Sequence, residues 1–174
     1  MAEPASAAPA GSATGAAGGD LAALDFAQVG AQEFAKIVKG MSSKQLAETM
    51  QGELRLRILR EVFARMERQF RPDGAGSLSA LIRWRVGDDG DGAHDGDGGP
   101  SVFETAIAGG TCSVTEGETE RDARVTLTMS DAEFLKLVSG NGNPVSMFMM
   151  RKLKVGGDVG MAAGLTRLFD IPKA

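Results

Sequence analysis

The sequence predicts an α/β (α+β) domain, a five-stranded sheet covered by helices, and three observations carry that prediction. Residues 54–70 hold the strongest helical stripe of the chain. Four segments between residues 76 and 129 alternate apolar and polar side chains with the period of two that a half-buried strand requires. After Asn143 a short apolar helix, a strand around Lys154 and an amphipathic last helix follow in quick succession.

Taken in order, residues 1–20 are Ala, Gly, Ser, Pro and Thr almost throughout, with too little bulk to offset the entropy of ordering, and read as a disordered tail. Residues 21–51 read as a helical N-terminal extension. Leu24, Phe26, Val29, Phe34, Ile37 and Val38 recur at helical spacing before Gly40, and Ser42 with Gln45 forms a capping box that opens a second helix through Met50. Packing against the main domain, residues 52–174, is its expected role. In Leu54–Phe70, the residues Ile58, Leu59, Val62, Phe63, Met66 and Phe70 form one apolar stripe, ended by Pro72 and Gly74. The other face sets Arg55, Arg57, Arg60, Arg65, Arg68 and Arg71 against Glu53, Glu61 and Glu67. Two readings stay open for it: a basic face that docks on anionic lipid headgroups, or a solvated face of local Glu–Arg pairs.

In Gly76–Val86, Leu78, Ala80, Ile82, Trp84 and Val86 alternate with Ser77, Ser79, Leu81, Arg83 and Arg85. Val102–Ala108 and Thr111–Thr115 form a hairpin across Gly109-Gly110. In Ala123–Met129, Val125, Leu127 and Met129 alternate with Arg124, Thr126 and Thr128. The connections predict an antiparallel meander covered on one face. Ser130 and Glu133 make a second capping box, ahead of a helix with Phe134, Leu135, Leu137 and Val138 that stops at Gly140. Asn143 as cap and Pro144 in the first turn predict a helix over Val145–Lys152. Leu153 and Val155 flank Lys154 as a strand, and Gly156-Gly157 frees the backbone to turn. Asp158 then caps a last helix with Met161, Leu165, Leu168 and Phe169 on one face.

A pI near 5.1 and a net charge of -4 argue against bulk nucleic-acid binding, which needs a basic surface. The single cysteine, Cys112, rules out an intrachain disulfide and fits a reducing compartment. Residues 1–20 lack the basic and apolar regions of a secretory signal. No uncharged apolar run approaches the ~20 residues of a membrane span, and Pro172-Lys173-Ala174 is not the peroxisomal Ser-Lys-Leu address. A soluble cytoplasmic protein is expected, and the Ala, Gly and Arg usage suggests a bacterial one.

Chemistry is hard to place. The Asp- and Gly-rich stretch at residues 87–99 fails the calcium-loop pattern, because Ala93 stands where a third ligand belongs and no Glu closes it; it reads as a mobile hairpin loop. His94 lies within that loop without a fixed partner, and Cys112 reads as a small hydrophobe in a strand. Asp88-Asp89 and Asp131 with Glu133 fall in a loop and at a helix start. There is no nucleophile elbow, no CxxC pair and no phosphate loop. No catalysis, metal or cofactor is expected. Nine Met and eight Phe against no Tyr and one Trp make the large side chains soft and nearly without polar handles. Such residues suit an adaptable binding surface, and equally fill gaps in a core.

The run from Asn143 to Phe169, a short apolar helix, then KLKVGGD, then an Ala/Gly/Leu helix ending in LF, resembles the closing segment of the sterol-carrier-protein family (type two). Residues 52–172 follow that family's order of elements. The resemblance implies a five-stranded mixed sheet covered by helices, with an internal hydrophobic tunnel between the sheet and the C-terminal helices and no catalytic residues. Side-chain period turns Ile82, Trp84, Phe103, Ile107, Val125, Leu127, Phe134, Val138, Met147, Phe148, Met150, Val155, Leu165, Leu168 and Phe169 toward it. The implied function is binding, and intracellular transfer, of a fatty acid, acyl-CoA, isoprenoid or sterol-like lipid, with transient contact to an anionic membrane surface. The alternative is an accessory domain that presents lipophilic substrates to a partner enzyme, with residues 21–50 as docking surface. Neither reading involves nucleic acid.

Overall fold

In the computed structural model, which describes residues 28–87 and 100–171, helices α1 (Ala31–Lys39) and α2 (Ser43–Thr49) precede the long helix α3 (Gly52–Arg68). The capping box at Ser42 forms in full: its Oγ accepts from Gln45 N and its N–H donates to Gln45 Oε1. A one-turn helix, α4 (Pro72–Ala75), follows α3 where the sequence predicts only a stop. The tail at residues 1–20, Leu24, Phe26 and the Asp/Gly loop with His94 lie outside the described residues.

Strands β1 (Ala80–Val86), β2 (Ser101–Ala108), β3 (Thr111–Glu116), β4 (Val125–Met129) and β5 (Leu153–Gly157) form one mixed sheet in the order β3-β2-β1-β4-β5. The hairpin between β2 and β3 turns on Gly109 and Gly110, whose positive φ angles of 58° and 76° fit a turn closed to side chains. The antiparallel meander extends only through β3, because β4 lies beside β1 and runs parallel to it. Burial explains that placement. Val125, Leu127 and Met129 are fully apolar on the covered face and belong in the middle of the sheet, while the exposed residues of β3 suit an edge. Residues 117–124 therefore cross three strand spacings, about 14 Å, over the uncovered face. There Thr119 N donates to Glu104 Oε1 (3.1 Å) and the Arg83 guanidinium donates to the Thr119 and Arg121 carbonyls.

Helix α5 (Asp131–Val138), capped by Ser130, and helix α6 (Pro144–Met149), capped by Asn143 Oδ1, pack over the inner face. Helix α6 ends earlier than predicted, at a turn in which Arg151 adopts φ 61°. Gly157, at φ 89°, closes β5 where an added Cβ would collide with the Arg124 carbonyl. The predicted last helix is two pieces, α7 (Val159–Ala163) and α8 (Leu165–Leu168), parted at Gly164, and Asp158 caps the first. All of these elements share one apolar core, and α1 and α2 contribute Phe34, Val38 and Leu46 to it. Helices α1 and α2 thus pack on the main domain through these apolar residues.

Candidate functional site

The site is built between the inner face of the sheet and the helices. Trp84 and Ile82 on β1, Phe103 and Ile107 on β2, and Val125 and Leu127 on β4 point to one side because alternate residues of neighbouring strands are in register. All six are buried. From above, α5 lowers Phe134 and Val138, α6 lowers Met147, and α8 brings Leu165 and Leu168, with Phe169 just past its end. Val155 on β5 is half-buried. Phe148 and Met150, expected to face inward, stand on the surface: α6 turns only Pro144 and Met147 to the core, and its remaining positions face out.

The centre is occupied by a side chain that the sequence places on a helical stripe but not at the site. Phe63 of α3 stacks on Phe103 (centroids 4.2 Å apart) and on Phe134 (5.2 Å), and meets Trp84 edge-on at 5.8 Å. Its position in the Ile58/Leu59/Val62/Phe63/Met66 stripe is the signal that could have found it. Polar atoms inside are few and paired. Trp84 Nε1 donates to Thr105 Oγ1 (3.2 Å), and among the described residues every buried side-chain nitrogen and oxygen has a hydrogen-bond partner. A separate cleft between α1, α3 and α5, lined by Phe34, Val62, Met66 and Val138 among others, measures about 20 Å³, room for one water.

The roof differs in strength from end to end. At one end Arg55 ties four elements: Nε donates to both Asp131 oxygens (3.0 and 3.1 Å), Nη1 to Ser101 Oγ (2.6 Å) and Nη2 to the Val86 carbonyl (2.8 Å). Burial pushes the Asp131 carboxyl upward in pKa against the opposing pull of Arg55. At the other end α7 and α8 have five and four residues, too short to be stable unaided. This segment is held by Arg71 N to Leu168 O (2.7 Å), Asp170 N to Gln69 O (2.8 Å) and the Phe169 ring, edge-on to Phe70 at 6.0 Å.

Reactive groups are not gathered. Burial, with Glu67 adding to it, raises the Cys112 thiol to about 11, so it is protonated and a weak nucleophile at neutral pH. No group of three or more His, Cys, Asp or Glu among the described residues is arranged to hold a metal. No described helix is long and apolar enough to cross a membrane. The basic face of α3 is laced with ion pairs, Arg55 to Asp131, Arg60 to Glu116, and Arg65 and Arg68 to Glu61. Only the pairs to Glu61 are the local Glu–Arg pairs of the solvated reading; Arg55 and Arg60 reach across to α5 and β3, and Arg55 and Arg65 are largely buried.

Sheet, apolar interior and short C-terminal cover together define a class: a small α+β domain with an apolar core roofed by short helices. Residues 65–170 match the SCP-2 sterol transfer family, and the chain belongs to that family, one of lipid binding and transfer. It is similar to human sterol carrier protein 2, 37% identical over 111 residues that cover 62% of this chain and 19% of that protein. It is also similar to hydroxysteroid dehydrogenase-like protein 2 of Xenopus tropicalis, 34% identical over 62 residues, covering 36% of this chain and 15% of the relative. The chain spans at most about a fifth of the length of these curated relatives. Among solved structures, a double mutant of a sec-alkyl sulfatase overlays 65% of this chain and 16% of its own with a TM-score of 0.52 at 12% identity, a likeness of fold alone.

Proposed function

We propose that this domain binds one hydrophobic ligand non-covalently, a fatty acid, acyl-CoA, isoprenoid or sterol-like lipid, between the sheet and the C-terminal cover, and hands it on without chemistry. The observation that carries the reading is the family match over residues 65–170, a span that contains the whole sheet and the cover over its apolar inner face. The contacts proposed for the ligand are the inner faces of β1, β2 and β4 with Phe134, Val138, Met147, Val155 and the undersides of α7 and α8.

Because Phe63, Trp84, Phe103 and Phe134 already fill the middle, the ligand enters beneath the cover, which must lift to admit it. Exposing Leu165, Leu168 and Phe169 costs about 1.5 to 3 kcal/mol each, while enclosing a long acyl chain removes on the order of 400 Å², worth roughly 10 kcal/mol. The two are of one order. A cover that opens and settles back on the bound lipid satisfies both, and losses of freedom on association bring the affinity to the order of micromolar.

Titration with the fluorescent fatty acid cis-parinaric acid, with competition by palmitate, palmitoyl-CoA and cholesterol, tests the reading. Saturable one-to-one binding displaced by at least one competitor is expected, and no saturable binding of any of the four ends it. The length of the relatives favours a second reading, in which the domain presents lipophilic substrates to an enzyme as one part of a larger assembly. Lipid binding that leaves vesicle-to-vesicle transfer at its uncatalysed rate would select that reading over free transfer.

A further inference from the structure

The sulfur atoms of the described residues divide sharply by access. Met41, Met50, Met66, Met129 and Met147 lie in the core, each 6% exposed or less, and Met161 is half-buried. Met149 and Met150, consecutive at the end of α6, are 77% and 62% exposed. The one thiol does not compete with them, because Cys112 is half-buried and protonated at neutral pH. The backbone under the pair is lightly held. Helix α6 has six residues, turns only Pro144 and Met147 to the core, and ends in a turn where Arg151 adopts φ 61°. Val145 and Phe148 are exposed beside the pair, so the two thioethers belong to an apolar outer face and have no part in the interior.

We propose that Met149 and Met150 form a reversible oxidation site, converted to sulfoxides by peroxide and returned by methionine sulfoxide reductases. In the forward step a lone pair of the thioether sulfur attacks one peroxide oxygen. The S–O bond forms, the O–O bond breaks, the second oxygen leaves as water, and the sulfur has given up two electrons. In the return step two thiols of the reductase supply two electrons, become a disulfide, and the sulfoxide oxygen leaves as water. Access decides both directions. Peroxide reaches the exposed pair without any opening of the domain, and a reductase can close around a residue on a fraying helix end but not around one in the core. Each sulfoxide sets a polar group beside Val145 and Phe148, so the outer face of α6 turns from apolar to polar while the core keeps its packing. The proposal stands independently of what the interior binds.

Peptide mapping by mass spectrometry, after the full chain has been exposed to hydrogen peroxide for increasing times, tests it. Met149 and Met150 should each gain one oxygen about tenfold faster, or more, than Met41, Met50, Met66, Met129 or Met147. Incubation with the two reductases, one for each sulfoxide epimer, and dithiothreitol as electron source should remove it. Retention on a hydrophobic-interaction column should shorten on oxidation and recover on reduction, with the thermal midpoint unchanged. Met149→Leu with Met150→Leu keeps the face apolar without the chemistry, so peroxide should leave the retention of that variant as it was. Oxidation of the five buried methionines at the rate of the exposed pair overturns the proposal. So do sulfoxides that the reductases leave in place, and a loss of retention that is equal in the Leu variant.

Discussion

Phe169→Ala separates a cover from a wall. The ring is 1% exposed and packs edge-on against Phe70 at 6.0 Å, with Arg71 N and Asp170 N bonded across the same junction. Removing it forfeits the transfer energy of the ring and leaves a cavity, together about 3 to 5 kcal/mol. A domain stable by about 5 to 15 kcal/mol survives that loss. Urea unfolding should show a lower midpoint with an unchanged slope, since the same surface is exposed on unfolding. If α7 and α8 must lift for a lipid to enter, the variant lifts them more cheaply. The apparent affinity scales with the fraction of molecules that are open, so it should rise at least tenfold for cis-parinaric acid. Stability that falls while affinity falls alongside it would refute the reasoning, for Phe169 would then hold the ligand instead of covering it. A loss of under about 1 kcal/mol would refute the packing estimate itself.

Glu104, buried under the crossover, is a second point of leverage. Burial acts to raise its pKa, but Thr119 and Arg83 more than offset this and hold it below the usual value near 4.5. A depressed carboxylate contributes stability above its unfolded pKa and loses it as pH falls through the folded one, so urea midpoints should drop below about pH 4.5. Arg83→Met should cost about 3 to 5 kcal/mol at neutral pH by stranding a buried charge, and should blunt the acid loss; an unchanged acid limb would contradict the assignment. Cys112, with its pKa near 11, should react slowly with an aromatic disulfide reagent at pH 8 and quickly in denaturant; fast labelling of the folded chain would show the burial to be wrong. Gly157→Ala should lower the thermal midpoint by several degrees, because the backbone there is at φ 89° and the methyl meets the Arg124 carbonyl. A melt within error of wild type would mean that the β5 turn relaxes freely.

Much of this was local and therefore legible. Ser42, Ser130, Asn143 and Asp158 each cap the helix that their spacing predicts, because a cap is a contact between residues two or three apart. The Gly109-Gly110 hairpin and the inward sets on β1, β2 and β4 follow from period two in the same way. Period does not say which strand is the neighbour, so β4 lies parallel to β1 where alternation alone predicts a continued meander. Nor does it distinguish solvent from a covering loop, which is how Glu104, on the polar face of β2, comes to be fully buried. Phe63 belongs to the apolar stripe of α3 by its spacing, yet its place at the centre depends on how α3 crosses the sheet.

By itself, then, the chain's order of residues determined the elements, their caps, the apolar inner face and the family likeness, all of which rest on neighbours a few positions apart. The tertiary structure alone decided that β4 stands beside β1, that the interior is filled by four aromatic rings, and that Met149 and Met150 face water. Those outcomes turn on competition among distant segments for one limited buried volume. Hydrophobicity states only that a side chain gains by burial, and geometry selects which ones find room.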